Sequence, residues 1–108
     1  MSPLNIIHDD TATGPSLRVI GELDFDQAAG LRQRVEQLPL LPGQCLVIDL
    51  SGLEYCDSTG ITALLAARHH AHTAHADIVL AAVPANLMRV LTLVGLDRVF
   101  TIGPGDGV

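Results

Sequence analysis

Two short, almost uninterrupted apolar runs constrain the fold of this chain more than any other feature. They are CLVIDL at 45–50 and IVLAAV at 78–83. Apolar runs of this length, bounded by turn residues, are typical of parallel strands that are covered on both faces of a sheet. Cys45–Leu50 and Ile78–Val83 are therefore predicted to be buried strands.

A helical pattern follows each of these runs. One helix is predicted from Asp57–Gly60 to about Thr73, and a second begins at Pro84 and stops at Gly95. Their apolar faces consist of Ile61, Leu64, Leu65, Leu87, Leu91 and Val94. A last short strand is predicted at Val99–Ile102. The order strand, helix, strand, helix, strand implies a parallel sheet with right-handed crossovers.

The first half of the chain adds a strand pair and one more helix. Leu4–Ile7 is predicted to be a short strand and Asp9–Pro15 a polar turn. The next strand has a buried face made of Leu17, Val19, Gly21 and Leu23. Asp24 is predicted to cap a helix, with Gln27 three residues later, and Pro39 ends this helix. Its apolar face consists of Ala28, Leu31, Val35 and Leu38.

Together these elements predict a small α/β fold, with helices packed on a four- to five-stranded mixed sheet. The 108 residues suit a single domain with its core at about 4–102. Residues 103–108 contain three glycines and a proline, and we expect them to form a flexible tail.

The charge balance excludes several classes of partner. The chain has six arginines, no lysine and twelve acidic residues, for a net charge of −6. Nucleic-acid binding and binding to an anionic membrane surface need clustered positive charge, so neither is expected. No apolar run approaches the ~18 residues of a membrane span. With no apparent secretion signal and only two cysteines, a cytoplasmic protein is expected.

Signatures of enzymes and bound groups are largely missing, and we expect no catalysis and no cofactor. The sequence has no phosphate-binding loop and no Cys-x-x-Cys pair. Cys56-Asp57-Ser58-Thr59-Gly60 is close to the G-x-S-x-G turn of hydrolases, but position 56 is not glycine. His69, His72 and His75 are spaced to share a helical face, yet no supporting ligand is near in sequence, so no metal site is expected.

Ser58 is the main candidate for a functional residue, because it lies where the helix predicted from Asp57–Gly60 to about Thr73 starts. One interpretation is structural: Asp, Ser and Thr all cap helices by accepting hydrogen bonds from free amide groups. The other is functional, since the amide groups and dipole at a helix start tolerate a phosphate. A phosphoryl group there would add about −1.5 to −2 charges without unfolding the domain.

Three stretches give the chain a resemblance to the STAS domain, and specifically to the bacterial anti-sigma factor antagonists. They are Gly21-Glu22-Leu23-Asp24, Val47-Ile48-Asp49-Leu50-Ser51-Gly52-Leu53 and Asp57-Ser58-Thr59-Gly60-Ile61. Leu91-x-x-Val94-Gly95-Leu96 is similar to the last helix and turn of that family. The resemblance covers about Leu4 to Ile102.

The resemblance implies a partner-switching function. In the family, a partner that is both an anti-sigma factor and a GHKL-type serine kinase phosphorylates the serine that corresponds to Ser58. The unphosphorylated form binds this kinase and frees the sigma factor, and a phosphatase reverses the modification. The partner-binding residues implied here are Glu22, Asp24, Asp57, Ser58, Thr59 and Gly60. We further expect a monomer or weak dimer.

Two departures and two alternatives accompany this resemblance. Relatives commonly have glycine where His75-Ala76-Asp77 stands, so a different helix stop is expected, and Cys56 replaces a larger apolar residue. STAS domains also serve as subunits of stress-signalling or lipid-trafficking complexes, in which Ser58 would only cap a helix. A small hydrolase or metal-binding protein is the more distant alternative.

Overall fold

The computed structural model describes residues 4–103 as a mixed sheet with helices on it, which confirms the predicted fold class. The strands are β1 (Asn5–Thr11), β2 (Gly14–Leu23), β3 (Cys45–Asp49), β4 (Leu53–Cys56), β5 (Asp77–Ala81) and β6 (Thr101–Gly103). The helices are α1 (Phe25–Glu36), α2 (Ser58–Thr73) and α3 (Ala85–Leu93), followed by a short 3-10 helix at Leu96–Arg98. This sheet has one strand more than the four or five predicted.

The order of the main strands is β1-β2-β3-β5-β6, and among the described residues only the β1–β2 hairpin is antiparallel. The additional strand, β4, pairs in parallel with the end of β2, where Leu23 lies opposite Cys56. The pairing shifts register between Gly21 and Glu22, so β2 bends away from β3 as it reaches β4. As a result β2 and β4 end side by side.

Alternation along the strands directs one face of the sheet into the core. Leu17, Val19 and Leu23 of β2 are buried, as predicted, and so are Leu46 and Ile48 of β3. Against this face, α1 and α2 pack side by side. The burial of their small and aliphatic residues drives this packing at about 25 cal/mol per Å² of apolar surface. The buried helical residues are Ala28, Leu31, Val35, Ala63, Leu64, Ala67 and Ala71.

The other face of the sheet is only partly covered, which corrects the prediction that β3 is buried on both faces. Cys45, Val47 and Asp49 of β3 are half-buried rather than buried. Arg18 of β2 donates toward Asp49 across this open face, with 3.5 Å between Nε and Oδ2. The apolar run at 45–50 therefore reflects high strand propensity and not two covered faces.

Several predicted boundaries shift in the structure. β1 runs on to Thr11 and β2 begins at Gly14, so the polar turn is two residues long. Leu38 is buried but lies beyond the end of α1, and Val94 is exposed rather than part of the α3 core face. Gly103 belongs to β6, while the rest of the predicted tail, 104–108, lies outside the described residues.

The end of α2 differs from expectation in an informative way. His75 has φ 59°, the left-handed conformation that favours glycine. The Ala76 amide donates to the Ala71 carbonyl at 2.8 Å and the His75 amide to the His72 carbonyl at 3.0 Å. These two bonds define a Schellman stop. The chain thus makes the usual glycine-type stop with histidine in its place.

No helix within residues 4–103 is long and apolar enough to cross a membrane.

Candidate functional site

The predicted site residues come together at one end of the sheet, where β2 and β4 finish. Because these two strands are parallel neighbours, the helices that follow them begin at the same edge. α1 starts after Asp24 and α2 starts after Asp57, so two N-terminal helix ends and two acidic caps share this edge. We call this region the switch end.

Asp24 caps α1 as the sequence predicts. Its backbone is extended, and its Oδ1 accepts from the Gln27 amide at 3.1 Å. Glu22, on the bent end of β2, is half-buried and lies opposite Tyr55 in β4. Both carboxylates remain partly accessible to solvent, so they give the switch end a negative surface.

Asp57 caps α2. Its Oδ1 accepts from the Thr59 hydroxyl at 2.5 Å and from the Gly60 amide at 3.0 Å. The Thr59 hydroxyl contributes most to lowering the pKa of Asp57 below its usual range, followed by the Gly60 amide, and the backbone amides of Thr59 and Phe25 contribute further. The sequence allows Asp57, Ser58 or Thr59 to cap α2, and in the structure Asp57 is the cap.

Ser58 is the first residue of α2 and is exposed. Its carbonyl accepts from the Thr62 hydroxyl at 3.0 Å, but its own hydroxyl makes no hydrogen bond to any residue from 4 to 103. A serine whose side chain caps a helix would use that oxygen for backbone amides. The Ser58 hydroxyl is instead free to meet a molecule from solution.

Thr59 and Gly60 face inward from Ser58. Thr59 is half-buried and its hydroxyl is held by Asp57, so it is less available than its neighbour. Gly60 is buried, and a Cβ at this position would lie 2.5 Å from the Leu23 carbonyl oxygen and 2.7 Å from the Cys56 sulfur. Gly60 therefore lets α2 approach the end of β2, and its contact with a partner stays a prediction.

Two exposed aromatic residues at the switch end are missing from the predicted site. The sequence has only three aromatic residues, and two of them are Phe25, 75% exposed, and Tyr55, 51% exposed. Phe25 begins α1 and lines a groove of about 470 Å³ with Arg32, Thr59 and Thr62. Aromatic side chains are enriched among the residues that carry binding energy. Their scarcity in the sequence is the signal that points to them.

The other candidates for chemistry are the three histidines at 69, 72 and 75 and the thiol of Cys56. His69 and His72 are exposed on α2, but His75 lies beyond the end of the helix, so the three do not share a helical face. Residues 4–103 contain no group of three or more potential metal ligands. Burial, with a smaller contribution from the Asp57 charge, raises the pKa of Cys56 to about 12 and keeps this thiol protonated.

A mixed sheet with helices packed on it and two helix starts gathered at one edge defines a small α/β domain. The family described as "Mlab, STAS domain" matches residues 8–103. The chain therefore belongs to the STAS domain family, as the sequence resemblance predicts.

Solved structures show the same fold. An anti-sigma factor antagonist from Mycobacterium paratuberculosis is 26% identical, with a TM-score of 0.79, over 96% of this chain and 88% of that one. A putative anti-sigma factor antagonist from Thermotoga maritima is 17% identical, with a TM-score of 0.71, over 90% of this chain and 84% of that one. The anti-sigma factor antagonist SpoIIAA in its unphosphorylated form is 14% identical, with a TM-score of 0.64, over 88% and 97%.

Proposed function

We propose that this protein is an anti-sigma factor antagonist: it binds an anti-sigma factor kinase, releases a sigma factor, and is switched off by phosphorylation at Ser58. The observation that carries the proposal is the exposed Ser58 hydroxyl, which has no hydrogen-bond partner within residues 4–103, beside a different residue, Asp57, that does the capping. The similarity to the Mycobacterium paratuberculosis antagonist over most of both chains supports the same function.

The local electrostatics explain how one modification would change binding without changing the fold. A phosphate on Ser58 lies at a helix start, where amide groups and the helix dipole favour negative charge. It also adds about −1.5 to −2 charges next to Asp57 and near Asp24. A partner surface matched to a neutral hydroxyl would then meet like-charge repulsion and a desolvation cost, worth several kcal/mol at a close contact.

The partner that this surface fits is a GHKL-type serine kinase with basic residues opposite Glu22 and Asp24. A phosphatase would restore the unmodified form. Asp57 and Thr59 lie beside Ser58 and complete the contact surface, while Phe25 and Tyr55 extend it with apolar area. We propose a cytoplasmic, non-catalytic monomer or weak dimer in this role.

Co-expression with candidate GHKL kinases, followed by intact-mass measurement, tests the proposal directly. We expect one added phosphate on the wild-type protein and on Thr59→Ser, and none on Ser58→Ala. Calorimetry should then show tight binding of the kinase to unmodified protein and to Ser58→Ala. Phosphorylated protein should bind at least tenfold more weakly. Equal affinity of the two forms would contradict the switch.

A non-switching STAS subunit of a larger complex is the second candidate, because the description of the matching family names Mlab together with the STAS domain. In that case no kinase would add phosphate to Ser58, and Ser58→Asp would remain in its assembly. Purification of the complex from cells that carry Ser58→Asp distinguishes the two functions.

A further inference from the structure

An exposed apolar surface on α3 is not used by the switch. Within α3 and its cap, Leu87 and Leu91 turn into the core, but Val90, Leu93 and Val94 are exposed. Leu93 is 79% exposed and Val94 61%. These three side chains lie on one flank of the helix, since their positions fall within about 100° of one another at 3.6 residues per turn. We call them the α3 flank.

The α3 flank is continuous with the switch end. Tyr55 and Val90 line opposite sides of a groove of about 150 Å³ between β4 and α3. β4 leads directly into Asp57 and Ser58, so Tyr55 connects the two regions along the surface. A protein that covers Ser58 can therefore also reach the α3 flank across this groove, whose lining includes the polar residues Glu54 and Asn86.

Arginine is the charged residue of α3 itself, in contrast to the acidic switch end. From Ala85 to Leu96 the sequence contains no acidic residue, and Arg89 is exposed next to Leu93. In the 3-10 helix that follows, Arg98 is exposed and the adjacent Asp97 is half-buried. An acidic protein thus presents here an apolar strip with two exposed arginines at its border, Arg89 and Arg98, while Asp97 is less exposed. A second copy would place arginine against arginine in a symmetric pair, whereas a strip bordered by carboxylates is complementary.

We propose that the α3 flank is a second docking surface for the same anti-sigma factor partner, and that its occupant is an amphipathic helix bordered by Asp or Glu. An apolar helix face laid against another apolar surface is a common mode of recognition. This proposal rests on the proposed function. It predicts a partner with basic residues facing the switch end and acidic residues around the helix that faces α3.

Site-specific photocrosslinking in cells tests the proposal with the full-length chain. A benzophenone amino acid is placed at Leu93, at Phe25 in the switch end, and at Leu41, a control that is 61% exposed in the loop before β3. We expect Leu93 and Phe25 to crosslink to the same protein and Leu41 to give no such product. The peptide attached at Leu93 should be an apolar helix segment with Asp or Glu at its borders.

The outcomes separate this proposal from the proposed function. If Phe25 captures the partner while Leu93 behaves like Leu41, or crosslinks to a second copy or to a different protein, the α3 docking surface is wrong and the switch stands. With the partner identified, Leu93→Asp should weaken its binding at least tenfold, whereas Leu41→Asp should not change it. Unchanged melting temperatures would show that both variants remain folded. If Leu93→Asp then bound the partner as tightly as the wild type does, the proposal would be overturned.

Discussion

At the start of α2, one carboxylate accepts several hydrogen bonds, while the adjacent serine hydroxyl has no partner within the part of the chain that the structure describes. The two residues therefore divide two roles. Asp57 holds the helix end and Ser58 presents a hydroxyl to solution. Because the cap does not depend on Ser58, chemical change at that hydroxyl leaves the start of the helix supported.

The lowered pKa of Asp57 makes part of the stability depend on pH. A carboxyl whose pKa is lower in the folded state contributes stability above its unfolded value of 3.8, and this contribution is lost as the pH falls through the folded value. Asp57→Asn should therefore be less stable than wild type at neutral pH. The difference should shrink below about pH 4.

Urea unfolding at a series of pH values measures this difference. Glu36→Gln, which removes an exposed carboxylate at the other end of α1, controls for the loss of one charge. A wild-type advantage over Asp57→Asn that stays constant from neutral pH down to about pH 2.5 would show that the charge of Asp57 is not involved.

Two glycines should respond in opposite ways to alanine. At Gly60 a Cβ would press against the Leu23 backbone, so Gly60→Ala should destabilise the protein by about 1–3 kcal/mol. Gly30 lies within α1 with open space around it, and Gly30→Ala should stabilise by about 0.5–1 kcal/mol. Chemical denaturation of both variants checks this pair, and the same sign for both would refute the packing argument.

At the scale of elements, the stop of α2 carries removable strain. A non-glycine residue in the left-handed conformation is disfavoured by about 1–2 kcal/mol. Glycine removes this strain, but the greater flexibility that it gives the unfolded chain cancels part of the gain in stability. His75→Gly should therefore raise the free energy of unfolding by about 0.5–1 kcal/mol. His75→Ala keeps the strain and should give no such gain, as thermal unfolding can show. Equal effects of the two substitutions would place the cause in the imidazole and not in the backbone.

The strand β4 shows what an element-scale pattern cannot predict. Its four residues read LEYC, and Glu54 and Tyr55 are exposed, so no apolar alternation marks it as a strand. It forms because the bent end of β2 offers it a partner. By contrast, β3 and β5 are predictable because short apolar runs bounded by turn residues favour strands, and α2 is predictable because its apolar residues follow the helical period.

For the whole molecule, the sequence indicates the family and the position of the proposed switch residue, Ser58, but not what surrounds it. Asp24, Asp57 and Ser58 are found because cap residues precede apolar helical patterns. Phe25, Tyr55 and the α3 flank are brought together only by the pairing of β4 with β2 and by the packing of α3 beside it. Such proximity depends on tertiary structure, and the local periodicity of the sequence does not predict it.

The overall charge should control how fast the partner arrives. A net charge of −6, with Glu22, Asp24 and Asp57 at the switch end, attracts a basic surface over about one Debye length, ~10 Å at 0.1 M salt. The association rate with the proposed kinase partner should therefore fall as salt rises, while the dissociation rate changes little.

Glu22→Gln and Glu36→Gln remove the same charge from different places, which makes them a matched pair. Glu22 lies at the switch end and Glu36 ends α1 at the far side of the helix. At low salt, Glu22→Gln should slow association by about two- to fivefold and flatten its salt dependence, whereas Glu36→Gln should have a smaller effect. Stopped-flow or surface-binding kinetics over a salt series measure both rates. Equal slowing by the two variants would mean that net charge alone steers the encounter, and that the switch end is not the surface that meets the partner.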